Sequence, residues 1–172
     1  MPELVHKERL QPSLLDRLTD DDPGERQESR DKRVLSPVRL RESALRDLGW
    51  LLNTTQLAAV QDLSQYPEVA KSVVNYGLPD LAGRTVSGVD VPKLEGLLRQ
   101  AIWDFEPRLL RNTVAVRLIV NQDELSHNAM SFIVEAELWS QPIPLQLYLR
   151  TEIDLEDGDV SVRELTHRRA EE

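Results

Sequence analysis

At 172 residues and 19.7 kDa, with 40% hydrophobic and 30% charged residues, the chain has the size of one domain with room for an appended tail. It holds no cysteine, which excludes a disulfide framework, a thiolate metal site and a cysteine nucleophile, and suits a reducing, cytoplasmic compartment. Thirty acidic against 21 basic residues give a net charge of −9, which repels phosphate backbones and argues against nucleic-acid binding.

From Pro2 to Arg33 the one apolar cluster is Leu14, Leu15 and Leu18, followed by Asp20-Asp21-Asp22-Pro23-Gly24 and a mixed-charge stretch. Such a segment buries too little surface to offset its ordering entropy, so residues 1–36 are expected to form a mobile arm. Within it Ser13 can cap a short helical turn with Leu14, Leu15 and Leu18 on one side. Two readings are open: a satellite helix packed back on its own domain, or a docking element that folds on a partner.

An α+β domain is expected over 37–165, with a charged tail at 166–172. Ala44, Leu45, Leu48, Leu51 and Leu52 recur at helical spacing between Arg41 and Leu52. A second helix is expected from Pro67 to Tyr76, with Val69, Val73 and Val74 inward and Gly77 as its left-handed cap. A third runs from Val91 to Phe105 on Leu94, Leu97, Leu98, Ala101, Ile102 and Phe105, and Pro107 stops it. The period then changes to 2: Val114 to Val120, Met130 to Leu138 and Leu145 to Leu155 alternate, and Asp157-Gly158 turns into a last strand through Val160 and Val162. The fold class is therefore α+β, with helices on one face of a mostly antiparallel meander of about four strands and charges on the other. No apolar run reaches the roughly 18–20 residues that span a bilayer, and Met1 to Leu10 is charged, so neither export nor membrane insertion is expected.

Acid–base hydrolysis needs two carboxyl groups about 5–9.5 Å apart. Glu95 and Asp104 lie nine positions apart on one helix, about 13.5 Å along it and pointing to opposite sides. Glu135 and Glu137 share a strand face, but a solvated one. His6, His127 and His167 do not converge on rigid elements, and no phosphate loop or nucleophile elbow occurs, so no catalytic, metal or cofactor residue is assigned. The unusual feature is Phe105-Glu106-Pro107-Arg108, where Pro107 holds Glu106 and Arg108 at a rigid corner between helix and strand. Either they brace the corner as a local salt bridge, or they anchor an interface. The last strand offers an edge that can accept a strand from another chain, or one that the arm covers.

Several motifs in order resemble the TssE family, the type VI secretion baseplate wedge subunits that are similar to the small wedge protein of contractile phage tails. They are Pro12-Ser13-Leu14-Leu15-Asp16-Arg17-Leu18-Thr19-Asp20, Leu45-Arg46-Asp47-Leu48, Trp50-Leu51-Leu52-Asn53-Thr54, Tyr66-Pro67-Glu68-Val69-Ala70, Asn75-Tyr76-Gly77-Leu78-Pro79-Asp80 and Phe105-Glu106-Pro107-Arg108-Leu109. The resemblance implies a structural protein held by TssF and TssG with TssK nearby, at a baseplate docked on the inner-membrane complex, whose sheet starts the TssB–TssC sheath by strand exchange. It maps the Glu-Pro-Arg wedge motif onto Glu106, Pro107 and Arg108, and these join Leu14, Leu15 and Leu18 as expected partner-contact residues. Some members carry a lysozyme-like label, which makes a peptidoglycan hydrolase the alternative function. The phage lysozyme pattern falls on Glu95 and Asp104 but then meets Leu110 in place of threonine, so the label gains no support.

Overall fold

In a computed structural model of the chain, the described residues are 13–19, 23–24, 36–119, 128–140 and 143–165. The helices are α1 (Leu14–Leu18), α2 (Pro37–Leu52), α3 (Pro67–Ala70) and α4 (Val91–Phe105). One antiparallel sheet follows, in the order β1 (Ala115–Ile119), β2 (Ala129–Leu138), β3 (Leu145–Asp154) and β4 (Val160–Glu164). This is the α+β meander that the change of period predicts. All three histidines, most of the expected arm and the C-terminal tail lie outside the described residues.

The two long helices begin alike. Ser36 accepts a hydrogen bond from the Arg39 amide and Asp90 from the Lys93 amide, and a proline in each first turn costs no helical bond. α2 starts four residues earlier than the leucine pattern indicates, because Ser36-Pro37 supplies the cap and Leu40 joins the buried stripe of Ala44, Leu48, Leu51 and Leu52. α4 has the expected bounds and buries Leu94, Leu98, Ala101 and Ile102.

Both helices cover one sheet face, α2 against β4 and α4 against β1. The register stacks Val116, Val134 and Leu149 in one row and Phe132 with Thr151 and Val162 in the next, so inward residues of every strand meet the helices in one core. The other face carries Arg117, Glu135, Glu137, Arg150, Glu152 and Arg163, as the alternation predicts, except that Ser131 there is fully buried.

The expected helix Pro67–Tyr76 is a correction. α3 ends at Ala70, Lys71 and Ser72 break the helix, and a 3-10 turn spans Val73–Asn75. Val73 and Val74 are exposed, and the inward residue is Asn75. Its side-chain amide donates to the Ala70 carbonyl, which a continued helix would have used, and its side-chain oxygen accepts from the Ala58 amide of a neighbouring turn.

Candidate partner-binding surfaces

The corner after α4 is built into the sheet. The Glu106 amide closes the last turn of α4 on the Ile102 carbonyl, and the Leu109 amide turns back on the Glu106 carbonyl. The Leu110 amide then donates to the Glu137 carbonyl while the Trp139 amide donates to the Arg108 carbonyl, so residues 108–110 run beside the end of β2 as a short strand. Leu109 is buried and Pro107 points outward.

Arg108 turns back under this corner. Its Nε donates to Glu106 Oε1 at 2.7 Å, its Nη2 to Glu106 Oε2 and to Asp47 Oδ2, the latter at 2.6 Å, and its Nη1 to Ser43 Oγ at 2.9 Å. Glu106 is 4% exposed, and all the hydrogen bonds that its carboxylate accepts from the described residues come from Arg108, including the backbone amide at 3.2 Å. Burial alone would lower the Arg108 pKa, but the bonds and charges of Glu106 and Asp47 outweigh it and raise it further. Bracing therefore has its partners in this geometry, and Arg108 has little left for another molecule. Tyr76 closes one side, edge-on to Phe105 at 5.2 Å, with its phenol pushed up by burial and by the nearby Asp47 and Glu106 charges.

The leucines of α1 are not packed. Leu14, Leu15 and Leu18 are 70%, 46% and 75% exposed, and α1 buries no residue. It docks through its opposite side, where Asp16 accepts hydrogen bonds from Ser13, Ser43 and Arg46 at 2.7, 2.9 and 2.6 Å. Burial would raise the Asp16 pKa, but these three bonds and the Arg46 charge overcome it and hold the carboxyl at about 2, against an ordinary 3.8. A lowered carboxyl pKa adds stability above the ordinary value, and here that stability is lost as pH falls from 3.8 towards 2. α1 is thus a satellite helix by its carboxylate and an exposed ridge by its leucines, a combination outside both readings of the spacing.

The sheet has two edges, and they differ. In β4 the residues facing β3 are set by the Asp154 amide bonding the Asp159 carbonyl and the Leu165 amide bonding the Tyr148 carbonyl. Alternation turns the amides and carbonyls of Val160, Val162 and Glu164 outward. The Asn53 side chain occupies the first of these, donating to the Val160 carbonyl at 2.7 Å and accepting from its amide at 2.8 Å. Among the described residues nothing engages the outward backbone groups of Val162 and Glu164. At the other edge the Leu118 amide donates to Glu95 Oε1 at 2.7 Å, and Val116 is buried beneath α4. Glu95 thus takes one outward amide of this edge. Replacing it with alanine should expose β1 to pairing and produce concentration-dependent self-association, measured by sedimentation, where the wild-type chain shows less.

The carboxylates of Glu95, Asp104 and Glu137 each have a partner of their own. Glu95 serves the β1 edge, Asp104 accepts from Gln100 Nε2 at 2.8 Å, and Glu137 accepts from Gln146 Nε2 at 2.6 Å. Among the described residues no cluster of histidine and carboxylate side chains could hold a metal, and no helix is long and apolar enough to cross a membrane. Spacing did not reveal Asp16, Ser43, Arg46, Asp47 or Asn53. Their one signal was position: Asp16 in α1, Ser43, Arg46 and Asp47 along α2, and Asn53 at its end.

No curated protein and no solved structure matches the chain. The family model described as baseplate wedge protein gp25 matches residues 38–143, from α2 through the Glu-Pro-Arg corner and β2. That match agrees with the wedge motifs, and the chain belongs to the baseplate wedge protein gp25 family, as a structural baseplate subunit.

Proposed function

We propose that this chain is the small wedge subunit of a type VI secretion baseplate, that it joins TssF and TssG near TssK on the cytoplasmic side of the inner-membrane complex, and that it templates the TssB–TssC sheath by strand exchange at β4. The observation that carries the templating is the backbone of β4 beyond Asn53. The outward amides and carbonyls of Val162 and Glu164 have no partner among the described residues and stand in register for an added strand. A strand laid along them gains affinity through main-chain hydrogen bonds and register through alternate side chains. Pro107, Leu14, Leu15 and Leu18 are the proposed contacts to the wedge subunits, with Glu106 and Arg108 as the brace behind Pro107. Pro107 is the outward member of the corner that Glu106 and Arg108 hold rigid.

The test is a pair of proline variants. The Val162 amide points away from β3, so Val162→Pro removes an outward donor and no ladder bond, at a cost of about 1 kcal/mol or less. It should still join purified TssF and TssG yet fail to start polymerisation of TssB–TssC, followed by electron microscopy. Ser161→Pro breaks a bond to β3 and should lower stability itself, which calibrates the first result. Normal sheath growth on Val162→Pro would sink templating at this edge.

A further inference from the structure

The sheet face opposite the helices carries a cationic row. Arg117 stands opposite Ile133, Ile133 opposite Arg150 and Arg150 opposite Arg163, so one cross-strand row takes a residue from each of the four strands. Neighbouring strands lie about 4.8 Å apart, which puts the backbones of Arg117 and Arg163 about 14 Å from each other. Arg117 and Arg163 are exposed, while Ile133 and Arg150 are half-buried, and Arg150 Nη2 donates to Ser131 Oγ at 3.4 Å.

Arg41, Arg46, Arg108 and Arg111 each meet a carboxylate, but among the described residues the side chains of Arg117 and Arg163 make no hydrogen bond or ion pair. Carboxylates are nonetheless close by. Glu135 stands in the row on one side, between Ala115 and Tyr148, and Glu152 in the row on the other, between Ser131 and Ser161. Across its rows the face therefore runs carboxylate, guanidinium, carboxylate, with the cationic stripe one residue wide.

We propose that this row is a docking surface for an amphipathic helix of a partner protein whose contact face carries carboxylates. The spacing sets the pattern. Counted from Arg163, the row places Arg150, Ile133 and Arg117 at about 5, 10 and 14 Å. Helix positions i+3, i+7 and i+10 lie about 4.5, 10.5 and 15 Å from i, and within about 80° of it around the axis. Carboxylates at i, i+3 and i+10 thus meet Arg163, Arg150 and Arg117, each able to accept two parallel N–H bonds, and an apolar side chain at i+7 meets Ile133. Glu135 and Glu152 on the flanks favour a helix with basic residues beside that stripe and repel a phosphate backbone, whose charge has one sign throughout. The surface uses side chains of the sheet face, not the outward backbone of β4, so it holds whether or not templating does.

The test is a titration of the full-length chain with an alanine-based peptide of about 16 residues, long enough to hold a helix, with glutamates at i, i+3 and i+10 and leucine at i+7. Amide NMR shifts should concentrate on Arg117, Ile133, Arg150 and Arg163. Arg117→Gln combined with Arg163→Gln should weaken binding about tenfold or more and leave the urea midpoint unchanged, since neither side chain gives up a bond within the chain. A peptide of equal composition with its glutamates spread around the helix should bind about tenfold more weakly or worse. Equal binding of the two peptides, shifts elsewhere or none, undiminished binding by the double variant, or displacement of the peptide by a DNA duplex would each overturn the docking surface. A lowered urea midpoint would also overturn it, by assigning the two arginines to the fold.

Discussion

Arg108→Ala should lower the stability of the isolated domain by about 3–5 kcal/mol, the range for removing one partner of a buried ion pair. The reason is what it leaves behind. Glu106 is 4% exposed, and Arg108 supplies the side-chain donors that satisfy both its oxygens, so the substitution strands a carboxylate with one backbone amide. Glu106→Ala should cost less, about 1–3 kcal/mol, because Arg108 keeps Asp47 and Ser43 and its side chain is 23% exposed. Urea unfolding monitored by circular dichroism gives both values, provided the slopes agree. Equal costs, or a larger one for Glu106→Ala, would show that Glu106 is not the dependent member of the pair.

Gly77→Ala should cost about 2–4 kcal/mol for a different reason. Gly77 has φ +118, and a Cβ built on it falls 2.1 Å from the Thr54 carbonyl oxygen. That carbonyl accepts the Leu78 amide while the Gln56 amide donates to the Leu78 carbonyl, a pair of bonds that pins the segment after α3 to the end of α2. An added methyl group strains φ and pushes two backbones apart at once. Gly83→Ala is the control: φ is +72 but the space is open, so only the conformational penalty of about 1–2 kcal/mol applies. Equal losses of melting temperature in the two variants would remove the steric part of this account.

The legible parts of the fold are those where one physical signal acts alone. Val91 to Phe105 carries an unbroken apolar stripe between a capping Asp90 and a stopping Pro107, and the structure has those bounds. The strands from Ala115 onward alternate cleanly, because a sheet covered by helices on one face demands it. The Pro67–Tyr76 helix failed because Val69, Val73 and Val74 match a helical stripe by spacing while no neighbouring element receives the last two. Backbone bonds from Asn75 then won over a short helix with nothing to bury.

The candidate surfaces divide in the same way. Leu14, Leu15 and Leu18 and the Glu106-Pro107-Arg108 corner stand out in the sequence, since an apolar ridge in a polar arm and a proline between opposite charges are local features. Their connection is not local. Arg108 meets Ser43 and Asp47 across separations of 65 and 61 residues, and Arg46 meets Asp16 across 30.

The residues alone determined the class of the molecule, a helical layer on an antiparallel meander, because periodicity is a property of the chain itself. Tertiary structure alone decided which side chains meet the sheet edges, which side of α1 faces water and whom Arg108 holds. Those outcomes depend on side chains far apart in sequence competing for the same buried hydrogen bonds, and only packing brings the competitors together.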